Sequence, residues 1–410
     1  MTDYHWLTSE EALQAIAEAC AETEGSHISA KDLMRIRKRF SLEKTQQIAS
    51  QFKLRQRAVT RFPQAAEMLF TDRSLKQATD AAIAQFKAKL IRELDSDVQH
   101  VTDLCCGMGG DLQALANHFS VTGVDQDPEI CAIAQHNASL HSHSTVETIV
   151  EDVAQLQLKT DWVHIDPDRR HDGRRHTDIN ALQPGIETLQ QLIDQVGSTL
   201  RGVSIKIAPA STIPEIWHAR CQLFWIQSRN ECRQQLAVFT TKNMRWNHRT
   251  ALAIDKDGTS KWEYTASNTE LLDSGEVPLK GSADTFLYEP KPAILAGQLA
   301  PSWAASHHLQ YIHSGVAYFT SDFPREVAGG TCYEILEELP FDLKQIKRHL
   351  KKHDIGRLEI KKRGIDLTPE QLRKDLKPKG NNGATLIIAG NPRSKNPTTA
   401  YIANCRTQFT

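Results

Sequence analysis

Apolar residues in the first hundred positions recur at intervals of three and four. Leu33, Ile36 and Phe40, then Ile48 and Phe52, fall at helical spacing. Thr8-x-x-Glu11 and Ser29-x-x-Asp32 each place a side-chain acceptor at an N-cap and an acid three residues on, so helices are expected to start there. Phe62-Pro63 interrupts the pattern. Another helix is expected from about Thr79, with Gln77-Ala-Thr79-Asp80 as its cap and Ile83, Phe86, Leu90 and Leu94 along its apolar side.

From residue 99 the rhythm changes. Strand-like runs at 99–104, 119–124, 146–150, 161–166, 202–208, 222–228 and 234–240 alternate with helix-like runs near 111–117, 128–140, 184–199 and 213–219. That alternation predicts a mainly parallel sheet covered on both faces. Only Arg229 to Arg233 separates the last two runs, too short for a parallel crossover, so an antiparallel hairpin is expected there. The turn-rich Asp255-Lys-Asp-Gly-Thr-Ser-Lys261 marks a boundary. Beyond it, strands are expected at 311–320, 333–338, 356–361, 384–389 and 399–404. Helices are expected at 342–351 and 369–376, the second with Thr368 at the N-cap and Pro369 at N1. The fold class is α/β. A helical N-terminal region precedes a seven-stranded Rossmann-like sheet with a terminal antiparallel hairpin, and small α+β modules follow.

Composition narrows the setting. The 410 residues, 40% apolar and 24% charged, suit two to four soluble domains. Met1 to Glu11 lacks a basic stretch followed by an apolar one, and no apolar run approaches a membrane span. The eight cysteines include no C-x-x-C pair, so no structural metal site is expected, and reduced thiols in a cytoplasmic protein are. The net charge of −1 conceals two basic stretches. Residues 31–76 hold 12 basic and 4 acidic side chains, and 344–379 hold 13 and 5. Such flanks are either solvated helix faces or a grip on a polyanion such as RNA.

The chemistry concentrates at Asp103-Leu-Cys-Cys-Gly-Met-Gly-Gly-Asp111, between a strand-like and a helix-like run. A glycine-rich turn there lets a nucleotide-like ligand approach the backbone. A dinucleotide fingerprint wants a third glycine where Leu112 stands. An S-adenosylmethionine site fits better. Asp103 ends the first strand, Asp125 ends the second, placed to accept ribose hydroxyls, and Asp152 follows the third, placed to meet an adenine amino group.

Residues 99–170 thus resemble a class I S-adenosylmethionine-dependent methyltransferase. Asp103-Leu-Cys-Cys-Gly-Met-Gly109 is similar to motif I of RNA methyltransferases, among them 5-methyluridine enzymes and trimethylguanosine synthase, with Cys105 in place of the usual first glycine. Arg61-Phe-Pro63, Met68-Leu-Phe70, Leu75-Lys-Gln-Ala-Thr79, Asp166-Pro-Asp-Arg-Arg170, Tyr288-Glu-Pro290 and Ile360-Lys-Lys-Arg-Gly364 extend the resemblance to bacterial class I methyltransferases with a C-terminal THUMP-like domain. The resemblance implies a helical region over 1–95, a methyltransferase domain over 96–255, a ferredoxin-like module over 256–325 and a THUMP-like domain over 326–410. It implies cofactor contacts at Thr79, Asp103, Cys105, Gly107, Gly109, Asp125, Asp152, Asp166 and Pro167, and RNA as partner.

The fourth strand-like run ends in Asp166-Pro167-Asp168-Arg169-Arg170. Amino-methyltransferases carry Asp/Asn-Pro-Pro-aromatic at this place, where the acid or amide holds the attacking amine and the ring stacks on the base. Asp168-Arg169 replaces the Pro-aromatic pair, so Asp166 is the leading catalytic candidate and Asp168 the second. Arg169, Arg170, Arg174 and Arg175 surround Gly173 and suit phosphate oxygens, or else pair with nearby acids. Lys206, on an apolar strand, is either functional or a snorkelling side chain. No Pro-Cys or Thr-Cys follows strand four, and Cys332 after Thr331 lies far downstream, which disfavours a covalent route to base-carbon methylation. The expected function is methyl transfer to a base nitrogen of structured RNA. The alternatives are a non-catalytic RNA-binding module and a protein or small-molecule methyltransferase.

Overall fold

A computed structural model describes the chain except residues 1–3, 24–27, 143, 157–158, 169, 172–173, 176, 243–244, 274–276, 391–397 and 407–410. It forms two compact units, one of residues 1–229, 233–247 and 254–261, the other of 230–232, 248–253 and 262–410.

The first unit opens with helices α1 (Tyr4–Leu7), α2 (Glu10–Glu22), α3 (Ala30–Arg37), α4 (Leu42–Ala58), α5 (Asp72–Gln77) and α6 (Ala81–Leu94). Ser29 and Asp32 form the expected capping box on α3. The cap of α2 is Ser9 rather than Thr8, its side chain accepting the Ala12 N–H, and the Glu11 carboxylate accepts the Trp6 indole N–H at 2.8 Å. Leu33, expected in the apolar stripe, is exposed, whereas Ile36, Phe40, Ile48 and Phe52 are buried. The buried stripe of α6 runs through Ile83, Ala84, Lys87, Ala88, Ile91 and Leu94, so it includes a lysine and leaves Phe86 and Leu90 at its margin.

Strands β1 (His100–Leu104), β2 (Ser120–Asp125), β3 (Val146–Val150), β4 (Trp162–Ile165), β5 (Gly202–Ile207), β6 (Gln222–Ser228) and β7 (Glu231–Thr240) follow, with α7 (Gly110–Ala116), α8 (Pro128–Ser139), α9 (Ile186–Asp194) and α10 (Glu215–His218) between them. They lie in the order β3-β2-β1-β4-β5-β7-β6. The first five are parallel, and β7 runs antiparallel to β5. The expected sheet and its terminal hairpin are therefore present. The hairpin turn is tighter than expected, because only Arg229 and Asn230 link β6 to β7 and Arg229 takes φ 60°. Helix α9 is shorter than the expected 184–199, ending at Asp194 ahead of the left-handed Gly197. The chain order reverses between β1 and β4, which opens a crevice at the carboxyl ends of those strands.

After β7 the chain forms β8 (His248–Ile254) and β9 (Ser260–Ser267), which the sequence reading did not anticipate, and α11 (Asn268–Asp273). Residues 255–259 of the turn-rich segment form the bend between those two strands, and Ser260 and Lys261 already belong to β9. Next come β10 (Phe286–Pro290), α12 (Pro292–Ala296), α13 (Ala300–Ser306), β11 (Gln310–His313), β12 (Val316–Ser321), β13 (Gly330–Pro340), α14 (Leu343–Lys352), β14 (Ile355–Arg363), α15 (Pro369–Leu376), β15 (Asn382–Ala389) and β16 (Thr399–Arg406). A seven-stranded sheet runs β11-β12-β10-β13-β16-β15-β14. The single strand expected over 311–320 is a hairpin, broken where Gly315 adopts φ 75°. Ile346 and Leu350 of α14 and Leu372 and Leu376 of α15 pack with Leu358, Ile360 and Leu386 of the sheet.

Candidate active site

β1 leads directly into a sharp turn. Cys105 (φ 58°), Gly107 (φ 54°) and Gly109 (φ 82°) all adopt left-handed backbone, which folds the chain back so that α7 starts at Gly110. At Gly109 a β-carbon would meet the Ala134 backbone of α8 at 3.1 Å, so this glycine permits the close approach of α7 and α8. At Gly107 a β-carbon would meet nothing within 4 Å. Cys105 bears its side chain in a conformation that costs an L-residue about 1–2 kcal/mol.

A cavity of about 940 Å³ opens at this turn, at the switch point between β1 and β4. Ligand pockets commonly occupy roughly 300–1,000 Å³. Asp103, Cys105 and Gly107 border it from the first strand and turn, Asp125 and Asp152 from the next two strand ends, and Asp166, Pro167 and Asp168 from the end of β4. Thr79 and Lys206 complete the set of expected residues along its wall. Gly109 does not reach the cavity and acts behind it, as a packing position.

The acids differ in environment. Asp125 accepts the Gly107 N–H and the Asp127 N–H, each at 3.1 Å, and burial raises its carboxyl despite those donors. Asp152 caps the short helical turn after β3, accepting the Ala154 N–H at 3.0 Å. Asp103 is 1% exposed, and neither of its oxygens has a hydrogen-bond partner among the described residues. Burial, and next the negative charge of Asp111, push its carboxyl well above the usual carboxylate range. An orphaned buried carboxylate beside an open turn calls for a cationic partner. The α-ammonium of S-adenosylmethionine meets that need, and the carboxylates of Asp125 and Asp152 suit its hydroxyl and amino donors, so the residues present fit this cofactor.

A hydrogen-bonded chain runs behind the cavity. His164 of β4 contacts Ser204 Oγ through Nδ1 and the Lys87 ammonium through Nε2, both at 2.9 Å. Lys87 forms an ion pair with Asp111, which accepts the Thr79 hydroxyl at 2.8 Å. Lys206 donates to Thr79 Oγ1 at 3.1 Å and pairs with the Asp166 carboxylate. Burial opposes ionisation of Asp111, but Lys87 and then His164 hold it well below the ordinary range. Burial and then the adjacent Lys87 lower the His164 imidazole below its usual range. Lys206 is therefore an ion-paired wall residue rather than a snorkelling side chain.

The N-terminal helices supply another wall. Asn137 of α8 clasps both backbone groups of Leu69, accepting its N–H and donating to its carbonyl, and donates also to the Met108 carbonyl at 2.9 Å. Arg61 pairs with Asp80 and donates to the carbonyls of Leu75 and Ala78, fixing the bend between α5 and α6. These contacts place Arg73 at the rim, where its guanidinium meets the Asp168 carboxylate at 3.0 Å. Sequence reading missed Arg73, Lys87, Asp111 and His164. Only the lysine in the apolar stripe of α6 and the histidine inside Trp162-Val-His-Ile165 offered a signal. Arg169 and the side chains of Arg170, Arg174 and Arg175 lie outside the described residues. The backbones of 170–171 and 174–175 pair as a two-residue antiparallel ladder.

Cys105 and Cys106 do not favour nucleophilic chemistry. Burial raises both thiols strongly, reinforced by Asp125 at Cys105 and by Asp103 at Cys106. Among the described residues, no group of three or more His, Cys, Asp and Glu side chains is arranged to hold a metal ion. No helix among them is long and apolar enough to cross a membrane.

Comparison with known proteins agrees with this geometry. Residues 101–166 match the model of a methyltransferase domain, and residues 330–404 match that of a THUMP domain-like family. Proteins of Mycobacterium tuberculosis strains CDC 1551 and H37Rv, both described as uncharacterized S-adenosylmethionine-dependent methyltransferases, are 29% identical over 346 residues, covering 83% of this chain and 89% of theirs. The crystal structure of a protein from Porphyromonas gingivalis W83, assigned as a methyltransferase, shares the fold at a TM-score of 0.79 and 19% identity, covering 97% of this chain and 99% of that one. The chain is an S-adenosylmethionine-dependent methyltransferase, with a methyltransferase domain followed by a THUMP-like domain.

Proposed function

We propose that the chain methylates a nitrogen on a base of structured RNA. The observation that carries this reading is Asp166, which ends β4 at the cavity wall, is held by Lys206, and is followed by Pro167. S-adenosylmethionine supplies an electrophilic methyl group, so the acceptor nitrogen needs in-line placement above all. In this reading Asp103, Asp125 and Asp152 hold the cofactor, with Thr79, Cys105, Gly107 and Pro167 shaping its bed. Asp166 accepts an N–H of the attacking amine, which orients the nitrogen lone pair toward the methyl group. Lys206 fixes the rotamer of Asp166, and Arg169, Arg170, Arg174 and Arg175 contact RNA phosphates. The THUMP-like domain and the basic stretches support RNA as the acceptor class.

A second reading, an RNA-binding protein without catalysis, draws support from Asp168. Its carboxylate is engaged by Arg73, at the position of the second proline in the amino-methyltransferase pattern and next to Arg169, where that pattern carries a stacking ring. Methyl transfer from labelled S-adenosylmethionine into total RNA of a strain lacking the gene separates the two. Incorporation by the native protein and not by D166A supports the first reading. No incorporation with cofactor binding intact supports the second.

A further inference from the structure

The two basic stretches of the chain fold differently. Among the described residues of 31–76, six of the twelve cations form ion pairs with acids, Arg73 with Asp168 at the cavity rim among them. Arg35 pairs with Glu22, Arg39 with Glu18, Lys44 with Glu11, Arg57 with Asp72 and Arg61 with Asp80. Helix α14 in the second unit, of sequence LKQIKRHLKK, contains no acid. Lys344, Lys347, Arg348, Lys351 and Lys352 are all exposed, and none forms an ion pair among the described residues. Asp342, just ahead, is occupied as the N-cap by the backbone N–H groups of Lys344 and Gln345 at 2.8 Å.

Lys344 stands three and four residues from Lys347 and Arg348, and these stand three to five residues from Lys351 and Lys352. Like charges at such spacing destabilise a helix. The helix dipole offsets that cost at the last turn, for Lys351 and Lys352, but not for the first three cations. No ion pair among the described residues relieves that repulsion. A polyanion with charges spaced along a strand would relieve it. A membrane surface fits less well, because the apolar side of α14 is not available to insert. Ile346 (0% exposed) and Leu350 (2%) are spent on the sheet and α15.

We propose that the outer face of α14 is an RNA-phosphate contact surface, formed by Lys344, Lys347, Arg348, Lys351 and Lys352. This rests on the reading of RNA as the acceptor and names the surface of the second unit that grips it. The paired N-terminal cations contribute little.

The test compares the full-length native chain with K344Q/K347Q/R348Q/K351Q and with R39Q/K44Q, using fluorescein-labelled bulk tRNA between 50 and 200 mM KCl. The α14 variant is expected to bind at least about tenfold more weakly at the lower salt, with a shallower salt slope by about three, since each lost phosphate contact removes roughly 0.7–0.9. Its affinity for S-adenosylmethionine stays within about twofold, and its Tm does not fall. R39Q/K44Q binds tRNA within about threefold of the native chain. An α14 variant with native slope and affinity, or an equal loss in R39Q/K44Q, overturns the surface while leaving the RNA reading in place. A native chain that binds no tRNA, or binds only phosphatidylserine vesicles, overturns both.

Discussion

The Lys206 ammonium reaches from β5 to the Asp166 carboxylate at the end of β4, bridging neighbouring strands at the rim of the cavity. Thr79, from the bend before α6, shares the same ammonium at 3.1 Å. Lys206→Met removes the partner that fixes Asp166 but leaves the cofactor acids untouched. Turnover should fall about 10- to 100-fold, the scale set by misplacing a reacting group by roughly an ångström. Calorimetry should find the S-adenosylmethionine affinity within about threefold of native. A large loss of cofactor binding with unchanged turnover would move Lys206 from the acceptor side to the donor side.

Asp103 sets stability against binding. Burial is the chief cause of its raised carboxyl, with Asp111 next. The unfolded chain ionises this group near 3.8, whereas the folded chain keeps the proton to higher pH. Its contribution to stability is therefore complete below the unfolded value and lost as pH rises through the folded one. Asp103→Asn should melt higher than the native protein in the absence of cofactor. The gap should widen from pH 5 to pH 8 to about 2–4 °C. The same variant should bind S-adenosylmethionine about tenfold or more weakly. A variant that melts lower at every pH would show that Asp103 is already satisfied within the fold.

Asp125 ties the cofactor turn to β2 through the Gly107 N–H. Asp125→Ala should weaken S-adenosylmethionine binding by roughly ten- to a hundredfold. Native affinity in that variant, measured by calorimetry, would remove Asp125 from the site.

Cys105 occupies a left-handed position that glycine adopts without strain, and at this half-buried site desolvation pushes its thiol well up. Cys105→Gly should retain methyl transfer within about threefold and fold at least as well, the relieved strain of about 1–2 kcal/mol offsetting the entropy of a glycine. Complete loss of turnover in that variant, or in Cys332→Ala, would reopen a covalent route.

Periodicity and turn chemistry made most of the sheet legible. Strands β3 and β6 carry the residues expected, and the hairpin followed from the short gap between two strand-like runs. The acids were legible because each stands at a strand end, where one sheet topology brings them to one crevice. The buried polar chain was not. Lys87 and His164 sit in apolar runs at 2% and 1% exposure, and an apolar count passes over a charge that a distant partner neutralises. Asp111 read as part of the glycine turn, yet its partners Lys87 and Thr79 come from α6 and the bend before it. Arg73 was hidden for the same reason. Its place at the rim depends on Asn137 clasping Leu69, 68 residues away in sequence. The α14 surface was visible as charge, but only the fold distinguishes its unpaired cations from the paired ones of the N-terminal helices.

The most direct test compares nucleosides, by mass spectrometry, in digested RNA from cells with the gene, without it, and with the D166A allele restored. The proposed function predicts one N-methylated base that disappears with the gene, returns with the native allele and stays absent with D166A. Identical nucleoside profiles in all three, while the purified protein binds S-adenosylmethionine, would contradict it.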